Sequence, residues 1–230
     1  MNNITDHTSG YTNSLFTTGE DGYVMDSVFY VRGTAYHKSD LLTDEYIGLL
    51  VEDTSMSLTY LATKIARQAH AGQLHGDEDY YEGHVRRVLE TAVSYVKPEF
   101  TCMWLLEIVA ILHDVAEDAP ELRELVELYN PLVVECVNAL TKDKSLCRND
   151  QLGESLARIM ATHPIAAHVK LADRLVNISK PFPAKWSRSA RSRYLQDAVL
   201  IAVELKYAST ELSDEILKTV LMRYEDERNY

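Results

Sequence analysis

Cysteine is scarce in this chain. Three occur, Cys102, Cys136 and Cys147, with no CxxC pair and no zinc-like spacing. An odd, sparse set argues against a disulfide framework and reads as free thiols in a reducing compartment. Long hydrophobic runs are missing too: no apolar stretch reaches the roughly 20 residues that a membrane-crossing helix needs. The opening "MNNITDHTSG" lacks a basic stretch followed by an apolar one, so it does not read as a signal peptide. The expected location is cytoplasmic. Positive charge is also short, with 23 Lys and Arg against 35 Asp and Glu and a formal net charge of -12. Most of such a surface repels nucleic-acid backbones and anionic membranes, so neither is expected as a partner. An anionic small substrate would have to be held by a metal or by a local basic cluster. No internal repeat and no low-complexity tract occurs.

What is present is ample core material. Of 230 residues, 46% are hydrophobic, which suits one compact domain with room for an appendage. Residues 1–53 differ from the rest. They are rich in Gly, Ser, Thr and Tyr, with a turn signal at "EDGY" and strand-like content in "YVMDSVFYV". A short irregular or β-hairpin extension is expected there. Covering an active site, mediating homo-oligomer formation and binding a partner are all open roles for it.

From residue 54 onward the pattern is helical. "SLTYLATKIARQAHAG" places Leu58, Leu61, Ile65 and Ala69 on one face, with Gly72 as a stop. "HVRRVLETAVSYV" ends before Pro98. "MWLLEIVAILHDVAED" is nearly apolar all round up to His113, as expected for a central, buried helix. "PELRELVELY" and "PLVVECVNALTK" each begin with proline at a plausible first helical position. Four further helical stretches complete an all-α array.

The apolar run into residue 112 ends in charge. On a helix continuing through residue 118, His113, Asp114, Glu117 and Asp118 share one side. Burying so many carboxylates without compensation is costly, and a divalent cation would compensate. Histidine with carboxylates suits manganese, iron or zinc better than calcium. Taken alone, the same residues equally describe a solvated acidic helix end. They are not alone. Asp173 and Asn177 sit four apart in the mostly apolar "HVKLADRLVNIS", and His84 opens another helix after "YYEG".

His84, then His113-Asp114, then Asp173, is the ligand order of the HD phosphohydrolase superfamily. "ATKIARQAHAGQ", "YYEGH", "AILHDVAED", "LTKDKSL" and "VKLADRLVNIS" together resemble the hydrolase domain of RelA/SpoT homologues, and most of all the free-standing small alarmone hydrolases. The resemblance runs from about residue 58 to the C-terminus. It implies an HD-domain helical array over residues 54–230, with residues 1–53 as an extension. It also implies one manganese ion held by His84, His113, Asp114 and Asp173. Glu117 and Asp118 then activate water and handle protons, and Asn177 contacts the substrate. The implied reaction removes the 3′-pyrophosphate of guanosine tetra- or pentaphosphate, (p)ppGpp, leaving GDP or GTP.

The sequence departs from that family in one loop. The usual Arg-Lys pair that packs on the purine falls on His75 and Gly76, and the Gly-Glu-Pro-Tyr that commonly follows reads Glu78, Asp79, Tyr80, Tyr81. His75 remains a candidate for stacking. Lys144, Arg191 and Tyr194 are the other candidate substrate contacts. Lys142, Arg148, Lys185, Arg188 and Arg193 add positive charge nearby, or form an ordinary solvated face. Arg191 is the nearest substitute for an arginine expected at Ala190. The altered loop leaves two alternatives open. One is an HD phosphohydrolase for another nucleotide, such as an adenine alarmone or the 2′-phosphate of NADPH. The other is a catalytically silent HD binding protein.

Overall fold

A computed structural model of the chain describes residues 28–31, 34–37, 57–97 and 103–226. The chain divides into two compact units, residues 1–61 and 62–230. In the first, β1 (Val28–Val31) and β2 (Thr34–His37) form an antiparallel hairpin in which Val28 faces His37 and Val31 faces Thr34. The expected extension therefore contains a hairpin. The "EDGY" turn, Cys102, Pro98 and the 53/54 boundary all lie outside the described residues.

Helices make up nearly all of the rest. They are α1 (Ser57–Ala69), α2 (Arg86–Ser94), α3 (Met103–Leu112), α4 (Val115–Asp118), α5 (Arg123–Val126), α6 (Pro131–Leu140), α7 (Arg148–Met160), α8 (Pro164–Ser179), α9 (Arg188–Glu204) and α10 (Thr210–Asp226). A small hairpin, β3 (Leu74–His75) with β4 (Glu78–Asp79), lies between α1 and α2. Local chemistry fixes several starts. The Asn130 side chain accepts from the Leu132 N–H with Pro131 following, and His163 Nδ1 accepts from the Ile165 N–H with Pro164 following. Ser187 caps α9 through the Ala190 N–H. Gly72, at φ +76°, lies in the turn after α1.

Two expectations need correction. "PELRELVELY" is not one helix: Pro120–Leu122 is a single 3₁₀ turn and α5 adds one turn more. The hub of the array is α8 rather than the apolar segment at 103–118. Helix α8 packs against α2, α3, α6, α7, α9 and α10, and thirteen of its sixteen residues are buried. Those include His168, Lys170, Asp173 and Arg174, so the burial of α8 is under-read from its hydrophobicity. Helix α3 is buried through Leu105, Leu106 and Ile108 to Leu112, while Trp104 at its start is exposed.

Candidate metal centre and its surroundings

Three elements deliver the central groups. His84 sits in a π turn, Tyr81–Val85, that leads into α2. Such wide turns are rare and concentrate at functional positions. A Cβ at Gly83 would fall 2.9 Å from Cβ of Glu78, so the small hairpin lies directly on this turn and only glycine fits.

His113 and Asp114 occupy a turn between α3 and α4. The helix does not run through, which corrects the shared-side geometry expected for residues 113–118. Asp114 has φ −101° and ψ −9°, the sparsely populated bridge region where active-site residues recur. The break at this turn separates the four groups. His113 and Asp114 turn inward, whereas Glu117 and Asp118 follow on α4 and meet other partners. The third element is α8, which carries Asp173.

The distances are short. His113 Nε2 lies 3.3 Å from His84 Nε2. Asp114 Oδ2 is 3.0 Å from the first and 3.2 Å from the second. Asp173 Oδ1 is 3.5 Å from His84 Nε2. Ligand atoms of His84, His113 and Asp173 all fall within 4.8 Å of one another. His113 Nδ1 faces the Ala110 carbonyl at 2.8 Å, which fixes the ring and turns Nε2 inward, the usual arrangement behind a metal-binding histidine. Asp173 Oδ2 accepts from Lys170 Nζ at 2.9 Å, and Oδ1 accepts from Asn177 Nδ2 at 2.6 Å.

The electrostatics favour a cation. Burial alone would lower the His113 imidazole, but Asp114 and Asp173 outweigh it and push it up to about 9. Burial would raise Asp114, yet His113 and His84 hold it well below the usual carboxylate range. Asp173 is likewise held low against burial, first by Lys170 and then by His84. Two imidazole nitrogens and two carboxylates converging at a largely buried point fit a divalent transition ion by donor type.

The remaining expected residues fall around this centre. Glu117 is paired with Lys142, whose Nζ is 3.1 Å from Oε1, and its backbone carbonyl accepts from Lys144 Nζ at 2.7 Å. Lys144 is thus anchored on the Glu117 backbone. Asp118 lies 3.8 Å from His70 Nδ1, and burial, then Asp114, raises its carboxyl. Asn177 is engaged with Asp173. His75 is half-buried, not loose in a loop: its Nδ1 lies 3.2 Å from the Gly83 carbonyl and 3.1 Å from Lys180 Nζ, and its ring is 4.8 Å from that of His84. Gly76, at φ +70°, opens the two-residue turn of the hairpin, a conformation that favours glycine.

Tyr194 stands beside a cavity of about 700 Å³ that is also lined by Arg148, Lys185, Trp186 and Arg193. Its ring packs under the Arg174 guanidinium at 4.2 Å and edge-on to Trp186 at 5.2 Å. Arg191, half-buried on the same helix, is not among the cavity walls.

Sequence reasoning missed His70, Tyr80 and Lys170. His70 stacks on Tyr80 with ring centroids 4.4 Å apart, and Tyr80 donates its hydroxyl proton to Asp114 Oδ2 at 2.9 Å. A histidine four residues after Ala66, on the buried side of α1, was a readable signal. Lys170, three residues before Asp173 in an apolar helix, was another. Tyr80 follows directly on the small hairpin and opens the turn that carries His84, where no periodicity marks it.

The fold and these groups define a class: a helical domain built around a His, His-Asp, Asp centre. No protein-family model matches the chain. A probable GTP pyrophosphokinase of Mycobacterium leprae is 30% identical over 183 residues, 75% of this chain and 22% of that protein. The guanosine-3′,5′-bis(diphosphate) 3′-pyrophosphohydrolase MESH1 of Danio rerio is 25% identical over 74% of this chain and 96% of its own length. Its Drosophila melanogaster counterpart is 31% identical over 47% of this chain and 65% of its own. This chain thus spans about a fifth of the mycobacterial relative. A solved structure described as a metazoan ortholog of SpoT that hydrolyzes ppGpp superposes with a TM-score of 0.63 at 23% identity, covering 72% of this chain and 95% of that one. The chain is similar in sequence to these proteins and shares the fold of the solved structure.

Proposed function

We propose that this chain is a metal-dependent (p)ppGpp 3′-pyrophosphohydrolase, a small alarmone hydrolase, with the activity residing in residues 54–230. The observation that carries this is the convergence of His84, His113, Asp114 and Asp173, with Glu117 and Asp118 one turn beyond. The names of the relatives support the substrate class. Donor type admits manganese, iron or zinc, and we assign manganese because the resemblance to the RelA/SpoT hydrolase domain implies it.

When bound there, the ion supplies charge neutralisation on phosphoryl oxygens and acidifies a water. The rest of the chemistry falls to the chain. Lys170 and Asn177 fix the Asp173 carboxylate in one orientation. Lys142 holds the Glu117 side chain in place. Asp118, with its carboxyl raised by partial burial and by Asp114, accepts and returns a proton more readily than an ordinary aspartate. Water attacks the 3′-linked phosphorus, the bond to the ribose 3′ oxygen breaks, and that oxygen leaves with a proton. The products are GDP or GTP and pyrophosphate. The cations at Lys185 and Arg193, with the Tyr194 ring, offer an anionic, aromatic ligand a place in the cavity they line.

One observation favours a second reading, action on another nucleotide. His75 is tied to Gly83 and Lys180, so the loop offers no free cation where the family's Arg-Lys pair packs on guanine. The test is the purified protein with manganese against guanine and adenine alarmones and NADPH, measuring pyrophosphate and phosphate release separately. Pyrophosphate from guanosine tetraphosphate is the expected product. Phosphate release from NADPH, with guanosine tetraphosphate left intact, would replace the first reading by the second.

A further inference from the structure

The hydroxyl of Tyr80 reaches Asp114 across thirty-four residues of sequence, and nothing in the ligand pattern requires it. The contact is built with care. The Tyr80 N–H donates to the Gln73 carbonyl at 3.0 Å, which ties the residue to the end of the β3–β4 hairpin. The Gln73 side-chain oxygen lies 3.1 Å from Nδ1 of His70, and His70 stacks on one face of the tyrosine at an interplanar angle of 23°. The ring also meets His84 edge-on, with centroids 5.1 Å apart. The hydroxyl ends 2.9 Å from Asp114 Oδ2, the same oxygen that faces both imidazole Nε2 atoms.

We infer that Tyr80 is a positioning residue of the metal centre: its hydroxyl sets the rotation of the Asp114 carboxylate, and its ring holds the His84 imidazole against the hairpin. The inference rests on the reading of His84, His113, Asp114 and Asp173 as ligands. The sequence holds tyrosine where the related pattern carries proline. A proline there would supply neither the N–H to Gln73 nor the hydroxyl to Asp114. His84 Nδ1 is buried without a hydrogen-bond partner among the described residues. Packing by Tyr80 and His75 therefore takes over the orienting role that a hydrogen bond plays behind His113.

The test is Tyr80→Phe, which keeps the ring and its stack but removes the hydroxyl. Manganese affinity is measured by competition with a chelator, alongside thermal stability and kcat at saturating metal. Loss of a group behind a ligand typically lowers metal affinity by about 10–100-fold. A loss in that range is expected here, with an unchanged melting temperature and with kcat recovering at excess metal. His113→Ala serves as the reference. If it binds manganese as the wild type does, the ligand reading itself fails. If it loses the metal while Tyr80→Phe keeps wild-type affinity, the inference about Tyr80 alone is overturned. A lowered melting temperature with unchanged affinity would make Tyr80 merely structural, and would overturn it as well.

Discussion

At the scale of single residues, Asp173 has both carboxylate oxygens committed, one to Lys170 and the other to Asn177 and the centre. Lys170 is buried on the core helix, so neither partner of this ion pair can fall back on water. Removing one member of such a pair costs about 3–5 kcal/mol. Lys170→Met should destabilise the metal-free protein by an amount in that range, measured by denaturant unfolding, and by less with manganese present, because a bound cation also meets the Asp173 charge. Glu117→Gln should keep the fold and the metal but lose about 10²–10⁴-fold in turnover; wild-type turnover would remove Glu117 from the mechanism. The residues proposed as ligands were legible in the sequence, since His and Asp stand out against an apolar background. Their supports were not. Lys170 and Tyr80 matter through what they touch, and contacts between distant segments leave no periodic trace.

At the scale of elements, the π turn and the small hairpin form one device. The turn presents His84, and the hairpin lies close enough that Gly83 has no room for a side chain. Gly83→Ala should force the hairpin off the turn. An overpacked contact of this kind costs about 1–3 kcal/mol, to be read as a fall in unfolding free energy, with weaker manganese binding measured in parallel. The hairpin also bears on restoring the family's cation pair. His75→Arg with Gly76→Lys would place a side chain at φ +70°, a conformation that costs a non-glycine residue about 1–2 kcal/mol. The double variant should therefore be less stable than His75→Arg alone, as differential scanning calorimetry can show. Most helices were legible from period and proline placement. The break at His113-Asp114 was not, because nothing in "ILHDVAED" stops a helix: it holds neither glycine nor proline. The turn there brings two adjacent side chains, His113 and Asp114, to one point.

At the scale of the whole molecule, a net charge of -12 sets the terms for an anionic substrate. Long-range repulsion must be overcome by the centre and by the local cations on α7, α9 and the loop before α9. Such contacts are screened within about 10 Å at 0.1 M salt. KM for guanosine tetraphosphate should therefore rise steeply as ionic strength goes from about 0.05 to about 0.5 M, with kcat much less affected. With His75 and Gly76 in place of the Arg-Lys pair, guanine and adenine alarmones should also differ less in kcat/KM than in relatives that keep it. The all-α class could be read because its period repeats over most of the chain. That α8 is the hub could not, because four polar side chains conceal its burial and only the packing of six neighbours reveals it. The most direct measurement joins metal content to product. Wild-type protein loaded with manganese and desalted should hold close to one ion per chain and release pyrophosphate from guanosine tetraphosphate, and Asp114→Ala should do neither. Stoichiometric metal in Asp114→Ala, or wild-type protein that holds its ion yet leaves the nucleotide intact, would contradict the assignment of this centre to alarmone hydrolysis.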